Sequence, residues 1–204
     1  LVRMRDSLTP LVLSYLNPIR AQLNKASKDD AGHLSICTHV RQGNNETGDW
    51  EEKSWRHFDL EAVLNSVLIL MKNLVESRNT TMISLYVASD SEQARPWFGA
   101  NVPKNWEVIQ PEKVMSKPKS GVWFGEREST TGHVLNETMI NEAMAEATAE
   151  MMALGECDAL LIPNYSAFSY PGIALMVARK KPVFFRVESG AEFREMSTFE
   201  EISV

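Results

Sequence analysis

The chain alternates between short apolar runs without breakers and longer stretches in which apolar residues recur every three or four positions. Residues 34–40 (LSICTHV) and 82–88 (MISLYVA) are apolar and β-branched throughout and predict buried strands. Shorter segments at 106–109, 158–162 and 182–185 predict three more. Between them lie helical patterns. Residues 8–25 place Leu11, Leu13, Leu16, Ile19 and Leu23 close to helical spacing, with Pro18 as a kink or break. Asp59 is suited to cap a helix to about Glu76, whose Leu60, Val63, Leu64, Val67, Leu68, Met71 and Leu74 form a wide inward stripe. Ser89-Asp90-Ser91 offers a cap for a short helix ending at Phe98. The longest helix opens at Thr131 or Asn136 and runs to Gly155, a candidate stop, with Ile140, Ala143, Met144, Ala147, Met151 and Leu154 on one face. A polar turn at 164–171 leads into a helix at 172–179, and the tail after Glu188 reads as acidic and frayed. Strands alternating with helices imply right-handed crossovers. The expected fold is α/β: a Rossmann-like three-layer domain, its parallel sheet covered on both faces.

With 204 residues, 44% hydrophobic, the chain can build a core as a single domain over 1–204. Its net charge of -6, with lysines and arginines dispersed, disfavours a nucleic-acid surface, so any anion site must be local. No apolar run approaches the roughly 20 residues that span a bilayer, and direct membrane contact is not expected. The opening LVRMRDSLTP lacks a signal-peptide core and an initiator methionine, which reads as a piece of a longer protein. Cys37 and Cys157 fall in predicted core elements and are expected as free buried thiols, with no disulfide framework and no zinc site. Four N-x-[ST] sequons, at Asn45, Asn79, Asn136 and Asn164, hint at a secretory route: the endoplasmic reticulum or Golgi lumen in a eukaryote, and otherwise the cytoplasm. Asn45 and Asn164 lie in loops assigned below to a ligand, where a glycan would obstruct. GxGxxG and GxxxxGK[ST] are both absent.

The candidate chemistry centres on residues 33–50, where a buried strand empties into a polar loop with two glycines. His39 and Arg41 share one face by alternation, at the carboxyl end of the strand, where open parallel sheets bind ligands. A buried guanidinium there would grip a phosphate or carboxylate with paired charge-assisted bonds. The other reading, an ordinary surface arginine, stays open on these residues alone. Glu142, Glu146 and Glu150 recur at i+4 and by spacing read as a solvated helical face. Ser166 and Ser169, between strand and helix, suit either helix capping or a phosphate cradle.

Three stretches in order carry a resemblance: HVRQG at 39–43 followed by Gly48-Asp49-Trp50, YVASDS at 86–91, and LGECDALLIPNYSAFS at 154–169. They resemble the donor-binding half of GDP-fucose-dependent fucosyltransferases of the GT-B superfamily, closest to the protein O-fucosyltransferases, over roughly residues 8–186. The resemblance implies a C-terminal Rossmann-like domain that binds GDP-fucose as donor substrate, with no cofactor and no metal. It implies that Arg41 contacts the β-phosphate and stabilises departing GDP. It further implies that His39 lines the nucleotide pocket with Gly43, that Asp49 and Trp50 shape the fucose pocket, and that Ser166, Ala167, Phe168 and Ser169 cradle phosphate. Glu150 stands where the family has an aspartate that contacts the nucleoside. The chain departs from the pattern at Asn44, where the family has aspartate, at Ala167 and at Glu150, which bears on nucleobase choice.

The acceptor would be a protein or glycan hydroxyl. A general base is not assigned, because the N-terminal acceptor-side domain of such an enzyme lies outside these residues. The 111–131 loop, long enough to be functional, is the other expected source of acceptor contacts. Two competing readings stand beside a metal-independent, inverting fucosyltransferase: a non-catalytic nucleotide-sugar-binding domain, and a Rossmann-like interaction domain with no nucleotide.

Overall fold

A computed structural model describes residues 9–27, 32–40, 59–89, 93–109, 137–163, 166–186 and 193–196. In chain order the elements are α1 (Pro10–Ser27), β1 (His33–Val40), α2 (Leu60–Ser77), β2 (Met82–Ser89), α3 (Ala94–Asn101) and β3 (Trp106–Ile109). There follow α4 (Glu137–Ala153), β4 (Ala159–Ile162), a 3₁₀ turn (Ala167–Ser169), α5 (Tyr170–Ala178), β5 (Val183–Arg186) and β6 (Phe193–Met196). Six strands form one sheet in the order β3-β2-β1-β4-β5-β6. All neighbours are parallel except β5 and β6. The fold is α/β and Rossmann-like, as the alternation of patterns predicts.

Alternation of side chains across the strands divides the core in two. One face carries Cys37, Tyr86, Ala88, Leu160 and Ile162, packed with Leu16, Ile19 and Leu23 of α1, Ala149 and Met152 of α4, and Ile173 and Met176 of α5. The other carries Leu34, Ile36, Leu85, Val87 and Leu161 against Leu64, Val67 and Met71 of α2 and Phe98 of α3. The stripe predicted for α2 is thus the inward one. Asp59 caps that helix by accepting from Ala62 N–H at 3.2 Å.

Several expectations are corrected. In α1 the helix passes through Pro18 unbroken, and its buried residues are Val12, Leu16, Ile19 and Leu23, while Leu11 is exposed. In α4 the expected face is buried at Ala143, and at Leu154 just beyond the helix, but not at Met144 or Met151. Met144 is 44% exposed, and Ala145, Ala149, Met152 and Ala153 turn inward, a narrow alanine stripe that seats α4 against α1. The glutamates follow the alanines. Glu146 and Glu150 are each only 4% exposed, so the solvated-face reading of that row fails for both. Helix α3 takes Gln93 at its N-cap with no side-chain cap, and Ser89 instead ends β2 with its hydroxyl donating to Val40 C=O at 2.6 Å. The tail holds β6, which pairs with β5 and buries Met196.

The largest correction is covalent. Cys37 of β1 and Cys157, in the turn before β4, form a disulfide across 120 residues of sequence, with Cα atoms 5.7 Å apart. Neither is a free thiol. Gly155 follows the end of α4 as expected of a helix stop and also serves packing: a Cβ there would stand 2.5 Å from Leu175 Cβ of α5. Gly172 answers it from within α5, where a Cβ would stand 2.6 Å from Leu154 Cβ. The two glycines let α5 lie against the approach to β4.

At the amino ends of the strands, Asp158 fastens β4 to β1. Its carboxylate accepts from Ser35 N–H at 3.1 Å, Ser35 O–H at 2.8 Å and the Lys181 ammonium at 2.6 Å. Burial by itself would raise the Asp158 carboxyl, but the Lys181 ammonium and the two Ser35 bonds outweigh it and hold it below the ordinary carboxylate value. A depressed folded-state value adds stability that is complete above the unfolded value, about 4, and is lost as pH falls through the folded one. The melting-temperature gap between wild type and Asp158→Asn should therefore be flat near neutrality and shrink below pH about 4. A gap that persists undiminished through the acid limb would show that the carboxylate charge is irrelevant to the clasp.

Candidate functional site

In the order β3-β2-β1-β4-β5, the chain runs outward from β1 in one direction through β2 and β3, then crosses to the other side with β4. The topological switch point is between β1 and β4, and a crevice outside their carboxyl ends is where this class of sheet accepts ligands. Strand β1 ends at Val40 and β4 at Ile162. Ser166 and the 3₁₀ turn Ala167–Ser169 follow β4 and lead directly into α5, whose early Pro171 fits a helix start that needs few N–H donors.

Here His39 meets the turn. Its Nδ1 is 2.6 Å from Ser169 Oγ, a contact joining residues 130 apart, and its ring lies 4.8 Å from that of Phe168. His39 is 3% exposed and Ser169 is fully buried. The direction of the bond depends on the imidazole tautomer. With Nδ1 protonated the ring donates, and the Ser169 hydroxyl proton can be given to another acceptor. With Nδ1 bare the serine donates to it instead.

The helix-capping reading separates the two serines. Ser169 occupies the N-cap of α5 but makes no side-chain cap; its hydroxyl goes to the histidine. Ser166 does act locally, its Oγ accepting from Phe168 N–H at 3.4 Å while its carbonyl accepts from Ser169 N–H at 2.9 Å. All three motif stretches are therefore in contact at the carboxyl rim, the middle one through Ser89 and Val40. Arg41, Gly43, Asp49 and Trp50 lie outside the described residues, as does the 111–131 loop.

Glu150 is held by an ion pair. Its Oε1 accepts from Arg95 Nη2 at 2.5 Å, and Arg95 Nε donates to Val87 C=O at 2.7 Å near the carboxyl end of β2. The ion pair joins α3 in one helical layer to α4 in the other. Beside it, burial first and the Glu150 carboxylate second push the Tyr86 phenol well above its usual value, with Arg95 working the other way. The resemblance places Glu150 at the nucleoside, and nothing in the sequence pattern points to its ion pair with Arg95. The arginine directly follows an alanine at a helix start, with no spacing signal linking it to a carboxylate 55 residues on.

Strand order and switch point define an α/β domain of the Rossmann-like class. No protein-family model and no curated protein matches the chain. Similar solved structures include NodZ alpha-1,6-fucosyltransferase soaked with GDP-fucose, at 17% identity and TM-score 0.47, covering 87% of this chain and 47% of that one. The same enzyme co-crystallized with GDP aligns at 16% identity and TM-score 0.48, covering 88% and 47%. Fucosyltransferase NodZ from Bradyrhizobium aligns at 16% and 0.47, covering 87% and 46%. The chain spans about half the length of these structures.

Proposed function

We propose that this chain is the donor-binding half of a GT-B glycosyltransferase that takes a GDP-sugar, GDP-fucose by motif resemblance, and passes the sugar to a protein or glycan hydroxyl. The observation that carries the reading is the His39–Ser169 contact at the β1/β4 switch point, because it brings two motif stretches together at the rim where the fold class binds nucleotides. Arg41, the next residue but one after His39, supplies the charge. Cleavage of the sugar–phosphate bond leaves growing negative charge on the diphosphate, and a fixed guanidinium is worth more as that charge develops than before it. The Ser169 hydroxyl and the positive end of the α5 dipole add to it at the same rim. The Cys37–Cys157 disulfide favours the oxidising lumen of a secretory pathway over a reducing cytoplasm.

Calorimetric titration with GDP, UDP and ADP tests this. GDP should bind preferentially, and Arg41→Ala should weaken it by about 10- to 150-fold, the worth of hydrogen bonds to a charged group. Unchanged GDP affinity in that variant would remove the role of Arg41. Should none of the three nucleotides bind or raise the melting temperature, the interaction-domain reading takes the place of this one.

A further inference from the structure

The four sequons are not used by the donor-site reading, and one of them, Asn79-Thr80-Thr81, falls among the described residues. It occupies the turn between α2 and β2. Asn79 is exposed and stands at φ 50°, a left-handed conformation that asparagine tolerates better than most residues. Its backbone N–H donates to Glu76 C=O, Thr80 N–H to Val75 C=O and Thr81 N–H to Gly32 C=O, so the turn is held by its main chain. The Asn79 side-chain amide has no hydrogen-bond partner among the described residues, and Thr81 is exposed. The turn lies at the amino ends of the strands. The switch-point crevice is at the other end of the sheet: from Met82 to Ala88, the partner of His39, is six residues, or about 20 Å at strand rise. A bulky group on Asn79 therefore leaves that crevice open.

An independent feature bears on the compartment. The Cys37–Cys157 bond forms where disulfides form, and in eukaryotic cells that lumen is also where sequons meet the glycosylation machinery. We infer that Asn79 is an N-glycosylation site, with the glycan borne on the amino-end edge of the sheet. The co-substrate is an oligosaccharide linked to a polyprenyl diphosphate. Asn79 Nδ2 forms a bond to the sugar C1, the C1–O bond to the diphosphate breaks, the diphosphate departs with the electron pair, and one amide proton passes to base. This inference does not depend on which nucleotide, if any, the crevice accepts.

The test is expression of the full chain through a eukaryotic secretory route, followed by peptide-N-glycosidase treatment, which hydrolyses the Asn side-chain amide, in ¹⁸O-water and peptide mass spectrometry. The Asn79 peptide should carry the ¹⁸O-aspartate mark, and both Asn79→Gln and Thr81→Ala should lose one glycan step in gel mobility. Thr81→Ser should retain that step. Thr81→Ala leaves the asparagine and its turn in place, so loss of the step there reads the sequon and not the fold. Recovery of an unmodified Asn79 peptide from the wild-type chain, with the cysteines paired or free, overturns the inference.

Discussion

Arg95→Met is expected to lower the unfolding free energy by about 3–5 kcal/mol, because it takes the guanidinium away from the buried Glu150 carboxylate. Glu150→Leu should do comparable damage from the other side by stranding the guanidinium, which is itself little exposed. The informative variant is the double replacement. A buried ion pair is strongly coupled but close to neutral against apolar groups of similar size, so Arg95→Met/Glu150→Leu should recover most of either single loss. Urea unfolding with a constant slope measures all three. A single-variant loss below about 1 kcal/mol would mean that the pair behaves as a hydrated surface bridge.

Reduction of the Cys37–Cys157 bond is the second large effect. For a closed loop of 120 residues the chain-entropy model gives about 5 kcal/mol, an upper figure within the usual spread of 2–5. In a chain of 204 residues each kilocalorie moves the melting temperature by about 2–4 °C, so a fall of roughly 10 °C is expected in reductant. Cys37→Ala/Cys157→Ala should show a fall of similar size without reductant. Mass spectrometry must confirm that the bond is broken in the heated sample. A melting temperature that does not move once the thiols are free would show that the crosslink adds nothing to the native state.

Fold class was legible because two periodicities, alternation in strands and the helical repeat between them, are properties of the local sequence. The α2 stripe and the β1 and β2 runs correspond to what is buried. What failed was non-local. A tally of two cysteines says nothing about whether β1 carries one to the turn that holds the other. In α4 the spacing put Met144 and Met151 inward with Ile140, Ala143, Ala147 and Leu154, yet packing against α1 turned Ala145, Ala149, Met152 and Ala153 inward, and Arg95 from another layer made it possible to bury Glu150. Strand β6 is four residues with an alternation too short to separate from a polar tail, and only its pairing with β5 defines it. At the candidate site, alternation put His39 at a strand end, but the contact with Ser169 needed the crossover between β1 and β4 to exist first.

That contact has a dimension fixed elsewhere. Ser169 stands at the head of α5, and α5 lies as close to the α4–β4 turn as it does because positions 155 and 172 carry only hydrogen. A single methyl at either place would wedge the helix outward and carry the serine away from the imidazole. The polar geometry of the rim is thus inherited from two residues that have no polar side chain, no charge and no reach of their own.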